Sequence, residues 1–345
     1  MSPTATNPVE PILSVRNLKT YFFPDEGTVR AVDGASFDVY SGKTLGIVGE
    51  SGCGKSVTSR SILRILEEPG RIVEGEITLR RKTGEVVDLA KLQPNSKEMR
   101  AIRGDEIALI FQEPMTSLSA HYTIGNQIIE ALRLHRDVSH KEARERTIEL
   151  LRSVGIPQPE RRIDEYSFQL SGGLRQRVVI AMALSCDPDV LIADEPTTAL
   201  DVTTQAQILD LLRHLQEERN MAVILITHNM GVIAEMADDV VVMYLGRDVE
   251  KGPVDDIFHA PKHPYTRALL CSIPSLLAPS RVKLPTISGS IPHPYNRPRG
   301  CPFHPRCTES ISGLCGQEEP MSVMVEHQQV CCFQHNEAFL SVRRT

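Results

Sequence analysis

The sequence predicts an α/β fold with a mostly parallel sheet, on three observations. Short apolar runs alternate with a helix-length stretch between residues 190 and 243. A β-rich run near residue 48 leads straight into a glycine-rich loop. Residues 122–185 carry helical spacing instead of alternation. Alternating strand and helix argues for a parallel sheet. Around this core the pattern leaves room for an antiparallel β subdomain, a helical subdomain and a small Cys-rich C-terminal extension.

In chain order, residues 12–48 read as short β segments broken by a turn at Pro24-Asp25-Glu26-Gly27. Lys43–Val48 is β-rich, Val73–Val87 is β-like, and Ala108-Leu109-Ile110-Phe111 is a buried-strand candidate. Within the helical stretch, Ser139-His140-Lys141-Glu142 forms a capping box. Ala143, Thr147, Leu151 and Val154 then fall on one face. Val190–Ala193, Ala222–Ile226 and Val240–Met243 are apolar strands, and Ile208, Leu211, Leu212 and Leu215 mark the helix between the first two. After about Ala260 the composition turns to proline, histidine and cysteine without periodicity. A boundary is expected there, giving domains 10–260 (helical subdomain about 114–185) and 261–345. No internal repeat is present.

The 345 residues, 41% hydrophobic and 24% charged, suit one large domain plus a small one. A net charge of -6 gives no sign of a nucleic-acid partner. No window approaches 18 uncharged apolar residues, Ala222–Ile226 being the longest comparable run, so no bilayer span is expected. The start, MSPTATNPVEP, lacks a basic segment and an apolar core; it is not a secretory signal, and a cytoplasmic location is expected. Eight cysteines in a reducing compartment do not imply disulfides.

Gly49-Glu50-Ser51-Gly52-Cys53-Gly54-Lys55-Ser56 is a complete G-x-x-x-x-G-K-S loop between a strand and a helix. Its glycines allow backbone N–H groups to wrap phosphates, and the helix N-terminus adds positive potential. Lys55 is expected to reach the β- and γ-phosphates and the Ser56 hydroxyl to ligate Mg²⁺. Cys53 reads as a small filler. Leu191–Glu195 is an apolar strand ending in two carboxylates, of which Asp194 would hold magnesium and Glu195 act as general base on water. His228, after Thr227 at the end of the next strand, is placed to bond the γ-phosphate. The bland alternatives are a chance glycine turn, a surface Asp-Glu pair and a structural histidine; their occurrence together argues for a P-loop NTPase core.

Leu170-Ser171-Gly172-Gly173-Leu174-Arg175-Gln176-Arg177 discriminates further. Ser-Gly-Gly opening a helix is a second phosphate cradle. One nucleotide does not need two, but two chains arranged head to tail would use both. With this motif the chain resembles the ABC transporter ATPases over about residues 12–345. The resemblance implies ATP contacts at Gly49, Ser51, Gly52, Cys53, Gly54, Lys55, Ser56 and Val57. It implies an adenine-stacking aromatic at Phe22, with Tyr21 as the alternative. Gln112 matches the glutamine that senses Mg²⁺ and γ-phosphate. Leu170, Ser171, Gly172, Gly173 and Gln176 match the signature offered to the partner's ATP, and Asp201 matches the dimer-contact loop. His228 matches the switch histidine, although Thr-His-Asn-Met stands where Thr-His-Asp-Leu is commoner.

Phe111–Leu118 (FQEPMTSL), Tyr122-Thr123-Ile124-Gly125, His263–Leu269 (HPYTRAL) and Gly300–Cys307 (GCPFHPRC) are similar to the oligopeptide/dipeptide (and nickel) permease ATPases. Ser119-Ala120-His121 departs from that branch, which usually has Asn-Pro. The resemblance implies a peripheral ATPase on the cytoplasmic face of the cell membrane. Its partners would be a second ATPase subunit, two transmembrane permease subunits and an extracellular or periplasmic substrate-binding protein. Import of di- or oligopeptides is the leading expectation; nickel, another small solute or a non-transport ABC ATPase are the alternatives. No sustained heptads lie between Lys55 and Ser171, which weighs against repair-type relatives.

Cys301, Cys307 and Cys315, followed by Cys332 (or Cys331), crowd into the last 45 residues. Gathered soft thiolates suit a metal centre. The spacing lacks zinc's usual C-x2–4-C pairs, and the tail is similar to ones carrying a [4Fe–4S] cluster. A [4Fe–4S] cluster is therefore the expectation, with Zn²⁺ or plain reduced thiols as alternatives.

Overall fold

A computed structural model describes residues 10–112, 117–273 and 287–336. Glu113, Pro114, Met115 and Thr116, within the FQEPMTSL stretch, lie outside the described residues. The chain divides into two compact units, residues 1–15, 37–44 and 76–224 in the first and 16–36, 45–75 and 225–345 in the second. Among the described residues no helix is long and apolar enough to cross a membrane.

Two sheets are present, and several strands run through both units. The four-stranded sheet holds β1 (Leu13–Phe22), β2 (Val29–Val39), β4 (Gly70–Arg80) and β5 (Val86–Asp88) in the order β2-β1-β4-β5. Its β4–β5 pair is antiparallel. The eight-stranded sheet contains β3 (Thr44–Val48), β6 (Ile107–Ile110), β7 (Val190–Asp194), β8 (Ala222–Thr227), β9 (Asp239–Tyr244), β10 (Arg247–Pro253), β11 (Val323–Val325) and β12 (Gln328–Val330). Their order is β11-β12-β10-β9-β3-β8-β7-β6, with β8 divided between the units.

In the first unit β6 and β7 pair in parallel, from Ile107↔Val190 to Ile110↔Ala193. Every residue of β7 is buried, as expected of a strand covered on both faces. Among the described residues, the helices of this unit include α2 (Lys97–Ile102), α3 (Ile124–His135), α4 (His140–Ser153), α5 (Pro159–Arg162), α6 (Gly172–Ala183) and α7 (Val202–Arg219). Ser139 Oγ accepts from the Glu142 N–H at 3.2 Å and starts α4 where the capping box predicts. Ala143, Thr147, Leu151 and Val154 are buried on its predicted face. On α7 the buried stripe is Ile208, Leu209, Leu212 and Leu215, while Leu211 is half-buried. The stripe is turned because Gln216 is also buried, donating to the Gly42 carbonyl at 2.8 Å.

In the second unit β3 and β9 pair in parallel, Leu45↔Asp239 through Val48↔Val242. The sheet then changes direction: β10 runs antiparallel to β9 and to β12, and β12 antiparallel to β11. Tyr244↔Arg247 closes a two-residue hairpin whose Leu245 and Gly246 both have positive φ, 44° and 80°. That left-handed pair matches the twist of an antiparallel ribbon. The sheet is therefore mixed, and the residues after 300 contribute two of its strands. Helices α1 (Lys55–Ile62), α8 (Met230–Met236), α9 (Val254–His259) and α10 (Pro264–Cys271) complete this unit.

The entrance to β6 depends on one buried ion pair. Arg81 donates to Glu106 Oε1 through Nε at 2.8 Å and Nη2 at 2.6 Å, and the Glu106 side chain is 5% exposed. The Glu106 carbonyl also accepts from the N–H groups of Asp189 and Val190. Arg81→Met strands that carboxylate and should lower unfolding free energy by about 3 kcal/mol, read in urea melts. Arg81→Met/Glu106→Leu should recover most of the loss; a double variant as unstable as Arg81→Met would contradict this.

Candidate functional site

The second unit carries the phosphate loop. It leaves β3 at Val48 and enters α1 at Lys55. Gly49, Gly52 and Gly54 have φ of 152°, 78° and 103°, conformations other residues rarely adopt. A Cβ on Gly49 would stand 2.2 Å from the Met243 carbonyl oxygen, and one on Gly54 2.3 Å from that of Ala31. Glycine is required at both by conformation and by space. The first α1 hydrogen bond runs from Thr58 N to Gly54 O at 2.9 Å. The N–H groups of Lys55, Ser56 and Val57 precede it and form the anion-attracting end of the helix.

Lys55 is 6% exposed and folded into the loop's own curve. Its Nζ donates to the carbonyls of Gly49 at 2.8 Å and Glu50 at 3.1 Å. Ser51 and Gly52 are exposed, Ser56 and Val57 half-buried. Cys53 is buried and its thiol is pushed up by burial, as a filler would be.

The same unit holds His228 and the aromatics. His228 is exposed directly after β8. Asn229 caps α8, its Oδ1 accepting from Gly231 N at 2.9 Å and Val232 N at 3.4 Å. An asparagine carbonyl serves this role as well as a carboxylate, so the Asn-Met departure leaves the helix start intact. The Tyr21 hydroxyl donates to Asp33, and burial pushes its pKa up to about 12. Asp33 in turn pairs with Arg247 at 3.2 Å and Arg297 at 2.8 Å. The Phe22 ring lies against Gly70, where a Cβ would meet it at 2.5 Å.

The first unit holds the carboxylates and the Ser-Gly-Gly turn. Asp194 ends β7 and is buried; Glu195 follows with φ 49°. For a non-glycine residue that left-handed conformation costs about 1–2 kcal/mol and persists where the surroundings impose it. Here the turn is closed by Thr198 N donating to Glu195 O at 3.1 Å. Glu195 Oε2 accepts from Gln112 Nε2 at 3.0 Å and Thr198 Oγ1 at 2.9 Å. The structure thus brings Gln112 and Glu195 together. Thr198 is the member that the sequence reading passed over, although its position three residues after Glu195 on a turn was the available signal.

Ser171 caps α6, its Oγ accepting from Leu174 N at 3.4 Å, and both Ser171 and Gly172 are exposed. A Cβ on Gly173 would sit 2.7 Å from Thr204 Cγ2. The Ser-Gly-Gly turn therefore packs on the start of α7, whose cap is Asp201. Asp201 accepts from Thr204 N at 2.9 Å and Thr204 Oγ1 at 2.7 Å, and the hydroxyl bond lowers its pKa. Leu170 is buried. Gln176 is 0% exposed and inside the unit, away from the exposed turn.

The cysteine tail corrects one expectation. Cys301, Cys307, Cys315 and Cys332 line one cavity with His263, Phe303 and Phe333, and Cys331 is not among its lining residues. Burial pushes the thiols of Cys301 up to about 12 and Cys332 up to about 11. Among the described residues no group of three or more His, Cys, Asp or Glu is arranged to hold a metal ion. The [4Fe–4S] expectation, and zinc with it, is overturned by that arrangement; no cysteine is in a disulfide.

Comparison with known proteins agrees with this geometry. A family model described as ABC transporter matches residues 32–198, and one described as oligopeptide/dipeptide transporter, C-terminal region, matches residues 249–315. The dipeptide transport ATP-binding protein DppD of Bacillus subtilis is 51% identical over 300 residues, 87% of each chain. The oligopeptide transport ATP-binding protein AppD of the same organism is 47% identical over 94% of this chain and 97% of its own. Among solved structures, the dimeric post-hydrolysis state of the ATP-binding cassette MJ0796 with ADP and Pi is similar. It has a TM-score of 0.61 and 27% identity over 70% of this chain and 98% of that one.

The raised thiols give a direct test. At pH 8 a thiol alkylating reagent should label exposed Cys271 at least about tenfold faster than Cys301 or Cys332, and urea should abolish the difference. Site-resolved mass spectrometry showing equal native rates would contradict it.

Proposed function

Because the chain belongs to the ABC transporter family, we propose that it is an ATP-hydrolysing subunit of a peptide importer, coupling ATP turnover to uptake of di- or oligopeptides. The observation that carries this reading is the presence in one chain of a phosphate loop and an exposed Ser171–Gly172 helix start. The transport names of the DppD and AppD relatives and the oligopeptide/dipeptide match at residues 249–315 supply the substrate class. In this reading residues 10–260 form the nucleotide-binding domain and residues 261–345 its extension. A second ATPase subunit supplies the other half of each ATP sandwich. Two membrane subunits and a substrate-binding protein complete the importer on the cytoplasmic face.

The amides at the start of α1 and the Lys55 ammonium bind the β- and γ-phosphates. Phe22 is the favoured aromatic for the adenine, with Tyr21, whose hydroxyl donates to Asp33, as the alternative. The Ser56 hydroxyl, the Asp194 carboxylate and the Gln112 amide oxygen are hard oxygen donors of the kind Mg²⁺ takes. These residues would hold Mg²⁺, which would supply positive charge to offset that of the phosphates. Glu195, aimed by Gln112 and Thr198, accepts the proton of the attacking water, and His228 bonds the γ-phosphate. Ser171 and the amides behind it approach the ATP held by the neighbouring subunit.

Glu195→Gln keeps the side-chain shape and one acceptor oxygen but removes the base. It should cut ATP turnover by about 100-fold or more while ATP binding persists, with an ATP-stabilised pair of ATPase subunits. Phosphate release by this variant at the wild-type rate would dismiss Glu195 as the base.

A further inference from the structure

The C-terminal extension touches the phosphate loop from behind. Arg306 Nη1 and Nη2 donate to Glu50 Oε2 and Oε1 at 2.7 and 2.9 Å, a two-pronged pair between residues 256 apart in sequence. Glu50 is the residue after Gly49, so its carboxylate belongs to the loop. Its backbone N–H is also taken by the extension, donating to the Tyr265 hydroxyl at 2.9 Å. On the other side its carbonyl accepts from Lys55 Nζ at 3.1 Å. One residue is thus gripped by the extension through its side chain and N–H, and by the phosphate-binding lysine through its carbonyl.

The gripping groups are themselves fixed. The Arg306 side chain is 4% exposed. Its Nε donates to the Ser288 carbonyl at 3.1 Å, and Nη1 also reaches the Tyr244 hydroxyl at 3.3 Å. The Tyr244, Tyr265 and Phe303 rings pack with centroids 4.7 to 5.3 Å apart and form a wall beside the Arg306 guanidinium, while the Glu50 side chain keeps 21% exposure. The bond to Glu50 raises the Arg306 pKa. A bidentate guanidinium–carboxylate pair in such a wall fixes geometry in a way a surface pair does not.

We propose that Arg306 and Tyr265 are positioning residues for ATP. The extension sets the shape of the phosphate loop, and with it the place of Lys55, before nucleotide binds. This rests on reading Gly49–Ser56 as the phosphate site. A loop ordered in advance spends less of the binding energy on its own ordering, so the clamp acts on ATP affinity more than on the chemical step. A clamp that merely fastened the tail would change thermal stability and leave affinity alone.

The test is ATP affinity, together with KM and kcat for hydrolysis, in the full-length chain. Arg306→Met should weaken ATP binding and raise KM by about tenfold or more, with kcat changed less than about threefold. Arg306→Lys should recover part of the loss, and Glu50→Gln/Arg306→Met should recover most of it by removing the stranded carboxylate. Wild-type affinity in Arg306→Met, or a double variant whose losses simply add, would overturn the clamp. If Arg306→Met does not fold, Tyr265→Phe removes only the hydroxyl facing Glu50. Weakened ATP binding there supports the clamp; unchanged affinity overturns it. Lys55→Ala should lose ATP binding in the same assay. Wild-type binding by Lys55→Ala would instead remove the phosphate-site reading itself.

Discussion

The backbone of residues 49–54 constrains everything built around it. Gly49 and Gly54 run so close to the carbonyls of Met243 and Ala31 that a single methyl group would collide with them. Their positive φ values would be strained for another residue even with space available. That tight curve ends at α1, whose first-turn N–H groups form the anion-attracting end of the helix. It also brings Lys55 back over the carbonyls of Gly49 and Glu50. Alter the curve and both the amide cradle and the lysine are displaced.

In the other unit, hydrogen bonds perform the equivalent positioning. Glu195 is held in a left-handed conformation by a turn ending at Thr198, and its carboxylate is met by the Thr198 hydroxyl and the Gln112 amide. A candidate base needs a defined direction, and two donors on one oxygen provide it. Asp201 and Ser171 are caps of α7 and α6, and Gly173 rests on Thr204. The residues proposed to meet a neighbouring subunit are therefore held by ordinary helix-start chemistry. The relatives place this arrangement in the ABC transporter family, and the peptide-importer reading extends it to a substrate.

Much of this was legible because the signals are local. A G-x-x-x-x-G-K-S loop, a strand ending in Asp-Glu and a capping box each depend on a few adjacent residues, and Ser139, Lys55 and Glu195 fall where those patterns put them. The extension was not legible. Its strands β11 and β12 are three residues long, too short to show a period. Their partners lie far away in sequence, as with β10–β12 and Arg306–Glu50. The cysteines mislead for a related reason. Spacing records which thiols are near in sequence, whereas the cavity they line is shared with Phe303, Phe333 and His263, and no metal-holding arrangement forms among the described residues. On α7, Leu211 lost its expected place because the polar Gln216 is buried by its bond to Gly42, a long-range contact invisible to an apolar count.

The central claim is that ATP is shared between the phosphate loop of one ATPase subunit and the Ser-Gly-Gly turn of the next. The most direct measurement is an electron-microscopy structure of the assembled importer, carrying Glu195→Gln and saturated with ATP. The expected map has Ser171 within hydrogen-bonding distance of a γ-phosphate whose other contacts come from the adjacent subunit's phosphate loop. ATP seated on Lys55 with Ser171 facing solvent in the closed, ATP-loaded assembly would contradict the account.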